Sequence, residues 1–146
     1  MIQIAVPRIL VIEDDAGARE ALESLLVDDG YAVCTAGTGS DGIDRAADFR
    51  PHAIICDFAL PDIDGLEVMR RVRDVLGDVF IVLVTGGGFG PLGELELRAE
   101  ADVFLDKPVD LPLLRGALSR ATGLGAGGPQ LKGNSSWPIT TTFRTS

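Results

Sequence analysis

A chain of 146 residues, 46% of them hydrophobic, is long enough to bury the core of one globular domain. Its 13 basic and 22 acidic residues give a net charge of −9, which argues against direct nucleic-acid binding, since that needs a basic face. The sequence has no apolar run near the ~20 residues of a membrane span. We therefore expect a soluble cytoplasmic protein with protein or cation partners.

Predicted strands and helices alternate along the chain. Strands are short apolar runs rich in β-branched residues, and helices show apolar residues at spacings of three, four and seven. Asp15 is the expected N-cap of the first helix. The predicted strands are 8–12, 31–36, 53–57, 79–84 and 103–105, and the predicted helices are 16–29, a short one ending at 49, 65–76, 91–100 and 110–121.

This alternation predicts an α/β fold with parallel strands and helices on both faces of the sheet. The strands are continuously apolar, as expected for a sheet that is covered on both sides. Residues 1–121 form the predicted domain. Residues 122–146 are Gly-rich and polar, and we expect a flexible tail. Within that tail, residues 137–143 are more apolar and could dock on this or another subunit as a strand or extended peptide.

Polar residues follow four of the five predicted strands. The first strand ends in Glu13 and Asp14, the third in Asp57 and the fourth in Thr85, and Lys107 follows the fifth. Because the carboxyl ends of parallel strands lie at one edge of a sheet, we expect these groups to meet there. Helix capping alone does not require a lysine and a threonine beside three acids.

The charges in this group need cations. Two like charges about 4 Å apart repel by roughly 4 kcal/mol at an effective dielectric near 20. Lys107 supplies one positive charge, and Mg²⁺ suits a set of carboxylate, carbonyl and water oxygens. Such a site would attract an anion. A phosphoryl group is the obvious candidate, with Asp57 as nucleophile and Thr85 as hydrogen-bond donor.

Five motifs in order resemble the receiver domain of two-component response regulators. They cover roughly residues 7–121, and each is weak by itself. The motifs are the run 9–15, Asp57 followed by Leu60-Pro61 and Asp64-Gly65, Val84-Thr85-Gly86, and Lys107-Pro108. The resemblance implies a flavodoxin-like three-layer αβα sandwich with a five-stranded parallel sheet of order 2-1-3-4-5. The chain resembles a single-domain chemotaxis regulator, or a receiver cut from a longer chain.

The resemblance also implies a function. A phosphohistidine on a sensor histidine kinase or a histidine phosphotransfer protein would pass its phosphoryl group to Asp57. The receiver would catalyse its own phosphorylation and dephosphorylation rather than turn over a substrate. Magnesium would be held by Glu13, Asp14, Asp57 and the backbone carbonyl of Ala59, with Glu13 acting mainly through water.

The family's switch would involve two further residues. Thr85 and Phe104 would be the pair through which phosphorylation alters a protein-interaction face. That face would bind a downstream protein, which the sequence does not identify. Phe104 stands where tyrosine is common, and the segment from Thr85 to Lys107 is about two residues shorter than usual. The Lys107–Pro108 bond is a candidate for the cis form. The sequence is also compatible with a homodimer.

Three other interpretations compete with this one. A pseudo-receiver would bind proteins without being phosphorylated. The motif Gly37-x-Gly39-x-x-Gly42, with Asp57 following, resembles a dinucleotide-binding fingerprint, but it gives the strand-end residues no role. A phosphohydrolase with an aspartate nucleophile would place D-x-D after the first strand, where this chain has Glu13-Asp14-Asp15.

Overall fold

A computed structural model describes residues 5–124 and 142–143. Its strands and helices agree with the predicted alternation, with boundaries shifted by one or two residues. In chain order they are β1 Arg8–Ile12, α1 Ala16–Asp28, β2 Ala32–Ala36, α2 Gly39–Phe49, β3 Ala53–Asp57, α3 Gly65–Leu76, β4 Phe80–Thr85, α4 Gly90–Glu100, β5 Val103–Asp106, α5 Leu111–Thr122 and β6 Thr142–Phe143.

The strands form one sheet of order β2-β1-β3-β4-β5-β6. The first five strands are parallel, which confirms the predicted topology 2-1-3-4-5. The sixth strand is antiparallel to β5 and extends the sheet by one short strand. It lies within the segment 137–143 that the sequence marked as able to dock. The rest of the predicted flexible tail, apart from residues 122–124, lies outside the described residues.

Apolar side chains cover both faces of the sheet, as the continuously apolar strands predicted. Alternate residues of β1 point to opposite faces, so Leu10 and Ile12 belong to one core and Ile9 and Val11 to the other. The first core packs against α2, α3 and α4, and the second against α1 and α5. No helix in the described part of the chain is long and apolar enough to cross a membrane.

Side-chain caps fix the starts of four helices. Asp15 accepts a hydrogen bond from the Ala18 N–H at 2.8 Å, which confirms its predicted capping role. Thr38, Asp64 and Asp110 cap α2, α3 and α5 in the same way. Helix α4 has no such cap. It follows a loop in which Gly87 and Gly88 have positive φ, and Gly90 at its own start does too.

Packing accounts for the glycine motif at the start of α2. A Cβ on Gly39 would lie 2.5 Å from Ile63, and one on Gly42 would lie 2.5 Å from Ile12. The Asp62 carboxylate accepts hydrogen bonds of 2.8 Å from the Gly39 and Ser40 N–H groups. This carboxylate takes the place at the helix N-terminus that a pyrophosphate occupies in a dinucleotide-binding fold. The motif therefore serves close packing here.

Candidate functional site

The predicted site residues lie at the carboxyl edge of the sheet, because the strands end at one level. Ile12 at the end of β1 pairs with Cys56 of β3, and Asp57 pairs with Val84 of β4. Glu13 and Asp14 directly follow β1. Thr85 comes one residue after the partner of Asp57. Parallel pairing thus brings the residues at the ends of β1, β3 and β4 into one group of side chains.

Three carboxylates form a close cluster at this edge. Glu13, Asp14 and Asp57 each offer an oxygen within 4.8 Å of the others. Glu13 and Asp57 are 6% and 4% exposed, whereas Asp14 is open to solvent. Two buried acids beside a third exposed acid repel one another strongly unless a cation is present. The cluster therefore favours binding of positive charge.

Lys107 supplies part of that charge. Its Nζ lies 3.0 Å from Oδ2 of Asp57 and 3.7 Å from Oε1 of Glu13. The Lys107–Pro108 peptide bond that follows is cis. The Lys107 N–H donates to the Thr85 carbonyl at 2.8 Å, which ties the lysine to the end of β4. The amine is thereby positioned directly over the buried Asp57 carboxylate.

The protonation behaviour of the site follows from this arrangement. Partial burial works to lower the pKa of Lys107, but the hydrogen bond to Asp57 and the charges of the three acids outweigh it and raise that pKa. Burial raises the pKa of Glu13, and the negative charge of Asp57 adds to the effect. The Asp15 N–H, which donates to Glu13 Oε2 at 3.0 Å, and the Lys107 charge both oppose this rise. The lysine therefore stays protonated, and a further cation would favour the charged form of Glu13.

The two predicted switch residues are both buried. Thr85 is 2% exposed, and its Oγ1 accepts a hydrogen bond from the Gly87 N–H at 3.0 Å. Phe104 is 4% exposed, and its ring centroid lies 4.5 Å from Cζ of Arg98 on α4. The aromatic ring is thus already packed inward and covered by a guanidinium group.

Sequence reasoning missed two groups that shape the site. Arg19 Nη1 donates to the Glu13 carbonyl at 2.8 Å and so holds the backbone of the acid pair. Phe89, in the loop before α4, packs edge-on against Phe58, with ring centroids 4.6 Å apart. The Phe58–Phe89 contact joins residues far apart in the chain, and the Arg19 bond depends on how α1 turns back over the end of β1, so neither has a simple sequence signal. Ala59, the predicted carbonyl ligand, lies exposed in the loop two residues after Asp57.

An apolar groove opens beside the acidic cluster, between α1 and α5. Its volume is about 500 Å³, and Glu13, Asp57 and Lys107 stand at its edge. Its remaining walls are mostly aliphatic, and they include Ala18, Leu22, Leu25, Val109, Leu111 and Leu114. The site is therefore open toward an apolar surface between α1 and α5.

Comparison with known proteins agrees with this geometry. A family model described as the response regulator receiver domain matches residues 9–119. The response regulator MprA of Mycolicibacterium vanbaalenii is 38% identical over 119 residues, which are 79% of this chain and 52% of that protein. MprA of Mycobacterium avium is 38% identical over 104 residues, which are 71% of this chain and 46% of that protein. The chain spans about half the length of these curated relatives.

Solved structures show the same fold. A CheY-like receiver domain protein from Methanospirillum hungatei superposes with a TM-score of 0.73 at 25% identity, covering 85% of this chain and all of that one (100%). The chemotaxis protein CheY4 of Vibrio cholerae gives a TM-score of 0.72 at 28% identity, covering 80% of this chain and 99% of that one. With the family model matched over residues 9–119, this chain belongs to the response regulator receiver domain family of two-component, phosphorylation-based signalling.

Proposed function

We propose that Asp57 is the phosphoryl acceptor of this receiver. The observation that carries the proposal is a buried carboxylate at the end of β3, 3.0 Å from the Lys107 ammonium and within 4.8 Å of two further acids. A carboxylate in this place can attack an electrophile, and its neighbours can neutralise the charge that arrives with a phosphoryl group. A merely structural aspartate would not need a lysine and two acids around it.

The acidic cluster fits Mg²⁺. All three side chains offer hard oxygen ligands close to one another, which is the donor set that this ion prefers. Glu13, Asp14, Asp57 and the Ala59 carbonyl are the proposed ligands, with Glu13 acting mainly through water. When bound, the ion supplies positive charge for the phosphoryl oxygens.

The chain's own groups then account for the transfer. An Asp57 oxygen forms the new bond to phosphorus, and the bond from phosphorus to the donor's histidine nitrogen breaks. The electron pair stays on that nitrogen, which takes up a proton. Lys107 stays protonated because of its raised pKa and can follow the negative charge from Asp57 to a phosphoryl oxygen. Thr85 can turn its hydroxyl from the loop toward the same group.

The groove between α1 and α5 is the proposed docking place of the donor. A sensor histidine kinase or a histidine phosphotransfer protein would lay an apolar helix there, with its phosphohistidine over Asp57. The aliphatic walls support this, because they leave the acidic cluster at one end of an otherwise apolar surface. The output then passes through Thr85 and Phe104 to a downstream protein.

Incubation with acetyl phosphate and Mg²⁺, followed by intact-mass measurement, tests the proposal. We expect a gain of one phosphoryl group in the natural chain and none in Asp57→Asn or in the presence of EDTA. Asp64→Asn is the matched control, because Asp64 caps α3 outside the cluster, and it should be phosphorylated normally. A folded natural chain that gains no mass would indicate a pseudo-receiver that only binds proteins.

A further inference from the structure

Strand β5 would be the open edge of the sheet without β6. On its other side β5 pairs with β4 with Val82 opposite Val103, and the Lys107 N–H just after β5 donates to the Thr85 carbonyl at 2.8 Å. Successive residues of a strand point their backbone groups to opposite sides. Val103 therefore faces β4, as Lys107 does, and the N–H and C=O of Phe104 point away from β4, toward the edge. An edge of this kind is a template for pairing with another strand.

The chain's own C-terminal strand lies on this edge. Val103 stands opposite Phe143 and Phe104 opposite Thr142, in antiparallel register. Since Phe104 directs its backbone groups outward, Phe104 and Thr142 form the hydrogen-bonded pair of this ladder. The outward groups of Phe104 are thus satisfied by the backbone at residue 142.

The helices beside this edge carry exposed apolar side chains. On α4, Leu92 is 81% exposed and Leu95 is 64% exposed, and Leu111 at the start of α5 is 43% exposed. Leu95 lies one helical turn before Arg98, the residue that covers the ring of Phe104, so it borders β5. Exposed leucines around an unpaired strand edge are typical of a protein-interaction surface.

We propose that the edge of β5 is a strand-binding surface, and that the chain occupies it in cis with its own residues 142–143. A protein that pairs with β5 must then displace this C-terminal strand. The inference concerns the unphosphorylated chain and does not depend on the role of Asp57.

Tethering favours the chain's own strand over that of a second copy. Residues 123–141 join α5 to β6, and a connection of that length can reach roughly 60 Å when extended, well beyond the roughly 13 Å length of β5. A tethered segment has an effective concentration on the order of millimolar. The paired strand has only two residues, so it can leave readily when a better partner arrives.

Amide hydrogen exchange measured by NMR on the full chain tests the proposal. Thr142→Pro removes the N–H that donates to Phe104, and Thr145→Pro is the matched control beyond the strand. We expect the Phe104 amide to exchange about tenfold faster or more in Thr142→Pro, and at its natural rate in Thr145→Pro. The Val103 amide points toward β4 and serves as an internal control for folding.

Equal Phe104 exchange in the natural chain and in Thr142→Pro would overturn the proposal. Protection of Phe104 that disappears on dilution would also overturn it, because a second copy would then be the occupant. A synthetic peptide of residues 139–146 should restore protection of Phe104 when added to Thr142→Pro. The same peptide carrying proline at position 142 should not, and failure of the natural peptide would contradict the strand-binding surface.

Discussion

At the level of single residues, the acidic cluster carries a cost in stability. Glu13 and Asp57 are buried beside Asp14 with one lysine to balance them. Burial raises the pKa of Glu13, and the charge of Asp57 adds to that rise, so part of the repulsion persists in the folded chain. A bound cation would relieve that repulsion.

Replacing the solvent-exposed acid, Asp14, should reveal the cost in stability. We expect Asp14→Asn to stabilise the chain in EDTA by on the order of 1 kcal/mol or less, because one of three close negative charges is gone. Added Mg²⁺ should stabilise the natural chain, since it binds only the folded state, but should stabilise the variant much less. Urea unfolding with and without the ion measures both effects.

Asp44→Asn is the control for general charge removal, because Asp44 is an exposed acid outside the cluster. It should keep the full response to Mg²⁺. An equal Mg²⁺ response in Asp14→Asn and the natural chain would mean that the ion does not bind at this edge of the sheet.

At the level of elements, the helix glycines serve different purposes. A Cβ on Gly17 in α1 would lie 3.5 Å from Asp15 Oδ2, an ordinary contact distance. A Cβ on Gly42 in α2 would approach three atoms of the Ile12 side chain at 2.5, 2.9 and 3.2 Å. Gly42 is therefore required for α2 to lie close to β1, whereas Gly17 is not.

Alanine at these two positions should have opposite effects on stability. Gly17→Ala should raise the free energy of unfolding by up to about 1 kcal/mol, because alanine restricts the unfolded chain and favours helix. Gly42→Ala should lower it by about 1–3 kcal/mol, because Ile12 is itself fully buried and has little room to move. Urea unfolding compares the two variants. A Gly42→Ala chain as stable as the natural one would show that α2 can shift away from β1.

At the level of the whole molecule, two cores share one sheet. Leu10 belongs to the core under α2, α3 and α4, and Leu114 to the core under α5, and both are fully buried. Every parallel strand contributes to both cores or joins them through the sheet. We therefore expect the described domain to unfold as one unit.

Shortening a buried side chain in either core should test whether the two cores unfold together. Leu10→Ala and Leu114→Ala should each lower the free energy of unfolding by about 2–5 kcal/mol, with a single transition in near- and far-UV circular dichroism. Leu92→Ala is the control, because its side chain is 81% exposed, and it should change stability by only about 0.5 kcal/mol or less. Two separate transitions in either core variant would show that the faces fold independently.

The amino-acid sequence determined the alternation of strands and helices, the parallel sheet and the convergence of Glu13, Asp14, Asp57, Thr85 and Lys107. Apolar runs and turn residues are local signals, and parallel strands bring their ends together whatever the packing details. The Asp15 cap followed from the same local chemistry.

Only the tertiary structure decided the contacts that join distant segments. The Asp62 carboxylate on the start of α2, the packing of Phe89 against Phe58 and the pairing of Phe143 with Val103 are of this kind. Each depends on how far one element is rotated or shifted against another. That is set by the packing of many side chains together, and no short stretch of sequence carries it.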